Sequence, residues 1–204
     1  MADRLSLSPA HRQHLINDSG LSIETIHSAG IHSVCPRDIV KFLGPYVSKK
    51  VLSLLAFPYY LCNGFTRYKT FPPIKHKGRV IKYWQPPGSG NHLYFPPGVE
   101  RIFQDTSIAI YLTEGEKKAL KAMQEGLFCI GLSGLWNWSD GDKNLIQDFD
   151  RVKWQGRTVF IVPDSDWLQP NKHGYKTNLR QAVNELAHHL IDREAGVFIV
   201  ELPE

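Results

Sequence analysis

Apolar and polar positions fall into two rhythms along this chain. From about residue 105 onward, unbroken apolar runs alternate with longer stretches of helical period. Ile108-Ala109-Ile110-Tyr111-Leu112 stops at Thr113-Glu114-Gly115, and a lysine-rich helical pattern follows over about 115–125. Phe128-Cys129-Ile130-Gly131-Leu132 is the next run, followed by a predicted helix over roughly Lys143–Phe149. Thr158-Val159-Phe160-Ile161-Val162 then ends in Pro163-Asp164-Ser165-Asp166. A long helix from about Thr177 to Glu194 leads through Gly196 into a last run, Val197 to Leu202. Unbroken apolar strands separated by helices predict an α/β domain over 105–204, with a parallel sheet covered on both faces.

The upstream rhythm is shorter. Residues 1–38 read as a short helical segment. Ser8-Pro9 supplies a cap and a first-turn proline, and Ser22 caps a second helix with Glu24 in its first turn. Such a pair either packs on a neighbour or forms a small nucleic-acid-binding hairpin. Residues 39–104 form a second region with short β-like runs, Leu52–Phe57 and Arg79–Trp84, separated by Pro-Pro and Gly turns. This region holds eight of the thirteen prolines and thirteen of the 23 aromatic residues, so it is expected to be a small β-containing subdomain.

Charge sharpens that division. The net charge of +4 conceals ten basic residues against one acid, Glu100, within 39–104; residues 105–204 carry eleven basic and fifteen acidic groups. Aromatics interleaved with Arg67, Lys69, Lys75, Lys77, Arg79, Lys82 and Tyr83 suit a surface that stacks bases and neutralises phosphates. Three scattered cysteines, Cys35, Cys62 and Cys129, fit neither a disulfide framework nor a zinc ribbon, and read as buried small hydrophobes in a reducing cytoplasm. No apolar run approaches the ~18 residues of a membrane span, and no membrane partner is expected. Met1-Ala2-Asp3-Arg4 lacks an apolar core, so no secretory leader is expected.

The chemistry is expected at the strand tips. In an open α/β sheet, reactive groups collect beyond the carboxyl ends of the strands. Glu114 follows the first strand of the third region, and Asp164 and Asp166 follow its third. If those strands are neighbours, three carboxylates converge, and a hard divalent cation offsets their repulsion. Gly115 permits close approach by a backbone or ligand. Lys117 and Lys118 oppose the helix dipole, which suits a visiting anion better than helix stability. Ordinary solvated lysines and a plain Asp-Ser-Asp turn are the bland readings of the same residues.

At these residues the pattern resembles the Toprim domain of bacterial primases, topoisomerases, repair proteins and nucleases. Glu114 in "LTEGEKKA" matches that family's strand-tip glutamate, and Asp164 and Asp166 in "FIVPDSD" match its DxD. The wording "TEGEKKALKAMQEGLFCIGLSGLWNW" is similar to primase-like Toprim proteins of plasmids, phages and bacteria. "KYWQPPGSGNHLYFPP" is similar to the segment preceding Toprim there, which implies Arg79, Lys82 and Tyr83 face template or nucleotide. The zinc ribbon of bacterial primases has no counterpart among these cysteines.

The resemblance implies a Toprim-like parallel sheet preceded by a small basic α+β subdomain. It further implies Mg²⁺ or Mn²⁺ on Glu114, Asp164 and Asp166, with Lys118 and Lys117 on phosphates and Gly115 beside the bound nucleotide. The leading expectation is primase-like nucleotidyl transfer on single-stranded DNA from nucleoside triphosphates in plasmid or phage replication. A phosphodiester-cleaving nuclease is the second. A non-catalytic DNA- or nucleotide-binding module working with a replicative helicase is the third. His173, His188 and His189 are weaker metal-ligand candidates, and the adjacent pair points in different directions on one helix.

Overall fold

Ser8 caps the first helix, α1 (Pro9–Arg12), by accepting the amide N–H of His11 at 3.3 Å, and a π-helical turn, Gln13–Asn17, continues it. Ser22 caps α2 (Ile23–Ser28) in the same way through Thr25. The computed structural model describes residues 6–76, 79–165, 167–169 and 179–203. It divides into two units, Met1–Gly90 and Asn91–Glu204.

The first unit is built on an antiparallel sheet of four strands in sequence order: β1 (His32–Ser33), β2 (Ser53–Pro58), β3 (Thr66–His76) and β4 (Arg79–Trp84). Two short helices, α3 (Ile39–Leu43) and α4 (Pro45–Ser48), sit between β1 and β2 in the chain. One sheet face closes on Val34, Ile39, Leu43, Leu54, Ala56, Tyr68 and Ile74, with Phe42 and Trp84 packed alongside. Pro72-Pro73, expected to mark a turn, instead lies inside β3. The two prolines have no N–H to give the ladder, and the register against β4 slips between Lys69 and Ile74.

His11 is fully buried in this unit, with its ring nitrogens 2.7 Å from Ser33 Oγ and 3.0 Å from Ser53 Oγ. It thereby ties α1 to both β1 and β2. Burial, assisted by the neighbouring charge of His14, pushes its pKa down to about 4.

The second unit carries a five-stranded sheet in the order β5-β7-β6-β8-β9: β5 (Leu93–Tyr94), β6 (Ile110–Glu114), β7 (Cys129–Leu132), β8 (Thr158–Val162) and β9 (Gly196–Ile199). The last four are parallel, as expected, and β5 adds an antiparallel edge. Helix α5 (Glu116–Gln124) returns the chain from β6 to β7, and α6 (Leu179–Asp192) returns it from β8 to β9. Ala182, Val183, Leu186, Ala187 and Leu190 give α6 one buried stripe, each leucine worth roughly 1.5–3 kcal/mol of burial. Among the described residues no helix is long and apolar enough to cross a membrane.

Three details depart from the sequence reading. The helix expected over 143–149 is a 3-10 helix at Gln147–Arg151. Upstream of it, the Asp140 carboxylate accepts the N–H groups of Asp142 and Asn144, and this local alternative competes with helix formation. The first parallel strand runs 110–114 rather than 108–112, carrying the polar Thr113 and Glu114 into the ladder. Coverage of the sheet is uneven: Tyr111, Phe160 and Phe198 stack across three strands, and Phe198 on the outermost is 56% exposed.

The unit is stapled internally by Arg157. Its buried guanidinium donates to four backbone carbonyls, those of Lys153, Ile108, Ile102 and Phe103, at 2.7–2.9 Å. Desolvation pulls its pKa below the usual arginine value, and the carbonyls supply the compensation a buried cation needs.

Candidate functional site

The register of the parallel sheet decides which side chains meet. Thr113 stands opposite Val162 on β8 and opposite Gly131 on β7, so β6 is flanked by both strands. Glu114 ends β6, and Asp164 lies two residues past the end of β8. The two carboxylates therefore leave the sheet from adjacent strands at the same edge. Thr113 Oγ1 locks that edge by donating to the Val162 carbonyl at 3.0 Å, and the Trp167 N–H donates to the Asp164 carbonyl at 3.0 Å.

Gly115 turns the chain out of β6 with φ +92°, a conformation that favours glycine, while its N–H donates to the Leu132 carbonyl at 2.7 Å. Helix α5 starts at the next residue. Gly131 lets it come close: a Cβ there would sit 3.1 Å from the Gly115 carbonyl oxygen and 3.3 Å from Ala119 Cβ. This places the first turn of α5 over the strand tips.

Lys118, the third residue of α5, forms an ion pair with Asp164. Lysine and aspartate are 53% and 39% exposed. They line an open cavity of about 390 Å³ together with Thr113, Pro163, Ser165 and Leu202. Lys117 is half-buried in the same turn, and Glu116 is buried to 1% exposure at the helix start. The available donors around Asp164 and Glu114 are carboxylate and hydroxyl oxygens, the set that hard cations prefer. Asp164, with the Thr113 and Ser165 hydroxyls on the same cavity, offers oxygen donors of the kind that would suit a hard divalent ion.

Asp166 and His173 lie outside the described residues. His188 is exposed, whereas the His189 ring packs 5.3 Å from the buried Trp138. Sequence reasoning missed Thr113, Ser165 and Leu202 as cavity walls, because nothing in their spacing marks them. It also missed a pair in the same unit: His92 Nδ1 lies 3.1 Å from the Asp148 carboxylate, which accepts the Leu93 N–H at 2.9 Å as well. The partners are 56 residues apart, too far for a local signal.

In the first unit, Arg67 and Lys69 both reach the Tyr83 ring, at 4.6 and 4.8 Å from its centre. Lys69 stands directly opposite Tyr83 in the ladder. Lys75 and Lys82 are exposed on β3 and β4. Lys77 and the side chain of Arg79 lie outside the described residues.

Residues 99–204 match a family model described as a domain of unknown function, DUF3854. No curated protein sequence is matched by the chain. Among solved structures, the Aquifex aeolicus primase (zinc-binding and RNA polymerase domains) is similar at a TM-score of 0.58 and 17% identity, over 95% of this chain and 50% of that one. A DNA primase domain from Pseudomonas aeruginosa gives 0.58 and 15%, over 96% and 64%. A DnaG primase catalytic domain bound to ssDNA gives 0.56 and 16%, over 96% and 64%. The chain thus spans half to about two thirds of the length of these primase chains. At such identities the likeness shows the fold, a Toprim-like parallel sheet flanked by helices with a basic α+β region ahead of it.

Proposed function

Since the chain belongs to the DUF3854 family and folds like a primase core, we propose that it carries out divalent-metal-dependent nucleotidyl transfer on single-stranded DNA. The observation that carries this reading is the pairing of β6 with β8, which sends Glu114 and Asp164 out of the sheet side by side. Glu114 and Asp164, with Asp166 two residues on, would hold Mg²⁺ or Mn²⁺. When bound, the ion supplies charge neutralisation on the triphosphate and lowers the cost of ionising the attacking hydroxyl.

The chain's own residues do the rest. The 3′-hydroxyl oxygen forms a bond to the α-phosphorus, the bond to the β-phosphate oxygen breaks, and pyrophosphate leaves. Glu114 would complete the metal site or else accept the hydroxyl proton. Lys118 offers fixed positive charge to the phosphates, with Lys117 in the same turn. Gly115, lacking a side chain, leaves room for the nucleotide. In the first unit, Tyr83 with Arg67 and Lys69 holds a template base and its phosphates, and Lys75, Lys77, Arg79 and Lys82 extend the basic track. Nucleoside triphosphates and single-stranded DNA are the substrates, with a replicative helicase as the source of unwound template in plasmid- or phage-type replication in the cytoplasm.

The test is synthesis of labelled oligonucleotides on a single-stranded template with Mg²⁺ or Mn²⁺. The expected result is new oligonucleotides from the natural sequence, and at least a roughly 100-fold loss for Asp164→Asn with DNA affinity intact or higher. Shortening of a labelled strand instead would make the protein a nuclease. Retarded DNA mobility with neither product would make it a binding module. Unchanged synthesis by Asp164→Asn removes the proposed role of the carboxylates.

A further inference from the structure

The Lys118–Asp164 ion pair sits where a lysine is least favoured and a metal ligand is most needed. Lys118 lies in the first turn of α5, where the helix dipole repels a cation. Yet its ammonium is held on the one described carboxylate of the DxD. Both groups open onto the 390 Å³ cavity rather than into the core, and their mutual contact is between half-exposed side chains. Pairs of that kind are weak and readily exchanged.

An ammonium and a divalent ion compete for one carboxylate at contact distance, because their like charges repel. Resting on the metal reading above, we infer that Lys118 is an exchangeable internal counter-ion: it masks Asp164 until a divalent cation arrives, and is released by that cation to take an anionic phosphate chain. Its long, flexible stem gives it the reach to leave Asp164 while staying beside the cavity. Metal and phosphate binding are then coupled through one side chain. The coupling is reciprocal, so each ligand raises the affinity of the other. The metal-free protein keeps its lysine occupied and has little attraction for free phosphate chains.

The full-length protein tests this without turnover, by titrating Mn²⁺ with electron paramagnetic resonance and inorganic tripolyphosphate with calorimetry. Lys118→Gln removes the competitor, so Mn²⁺ alone is expected to bind about 2–5-fold tighter than to the natural protein. Lys118→Arg, which keeps the pair, is expected to stay near the natural affinity. Asp164→Asn frees the lysine, so tripolyphosphate without metal is expected to bind about 3-fold tighter, a gain lost in the double variant. Mn²⁺ affinity in Lys118→Gln that is unchanged or weaker overturns the exchange. So does tripolyphosphate binding that ignores Asp164→Asn. If Mn²⁺ binding depends on Asp164 but not on Lys118, the exchange alone fails. If the natural protein binds no Mn²⁺, the metal reading fails with it.

Discussion

The two units of this chain place charge by opposite geometric means. In the second, parallel strands all end at one edge, so Glu114 and Asp164 follow neighbouring strand ends although 50 residues separate them in sequence. In the first, antiparallel strands lay side chains across a face, so Arg67, Lys69 and Tyr83 meet near the open end of the β3–β4 ladder. A tip concentrates a few like charges at one point and demands a counter-ion. A face spreads charges among aromatic rings, which neutralise none of them but keep them in place. The lesson is that strand direction determines whether a basic or acidic composition becomes a point site or an extended surface.

The sharpest way to break this comparison is to loosen the second unit from the opposite, amino-terminal ends of its strands, where Arg157 lies. Arg157→Met removes the donor for four buried carbonyls, and the second unit is expected to lose about 3–5 kcal/mol. Hydrogen exchange should rise through 91–204 while the β2–β3 ladder of the first unit keeps its protection. Equal loosening in both units would mean that Arg157 is not local to the second.

A smaller effect is expected from pH in the first unit. Unfolded, the His11 imidazole titrates near 6.5, and folded it titrates at about 4. Between those values the unfolded chain binds the extra proton, so stability falls as pH drops through the window and is fully present above it. The loss is on the order of 3 kcal/mol, read as a shift in the urea midpoint of the β1–β2 ladder. His11→Gln should flatten that slope, and an unchanged slope would assign the pH dependence to another group.

The smallest effect concerns the face. Tyr83→Ala is expected to weaken binding of a short oligothymidylate by about 5–10-fold, read by fluorescence anisotropy. Lys69→Gln should lower the salt dependence more than the affinity at high salt. Loss of DNA binding from Asp164→Asn but not from Tyr83→Ala would reverse the assignment of face and tip.

Legibility in the sequence followed the same divide. Strand β8 was readable to the residue, because Thr158–Val162 is an apolar run closed by a proline. The adjacency of the strands that lead to Glu114 and Asp164 was readable once the alternation of strand and helix was seen. The ion pair of Lys118 with Asp164 was not, since a contact spanning 46 residues has no local periodicity. The helix expected at 143–149 failed because the Asp140 side chain captures two backbone amides that periodicity assigns to a helix. In the first unit, Pro72-Pro73 hid an eleven-residue strand, and with it the register that brings Lys69 opposite Tyr83. Composition gave the basic character of that region; only the pairing of β3 with β4 shows which cations share a ring.

Gly131 has a reach beyond its own strand. A single methyl group added there would press on the Gly115 carbonyl, Tyr94 and Ala119, and relief by a few tenths of an ångström on the α5 side would shift the helix carrying Lys118. The span between ammonium and carboxylate is thus tuned from β7, by an atom that is not there, rather than by either charged residue.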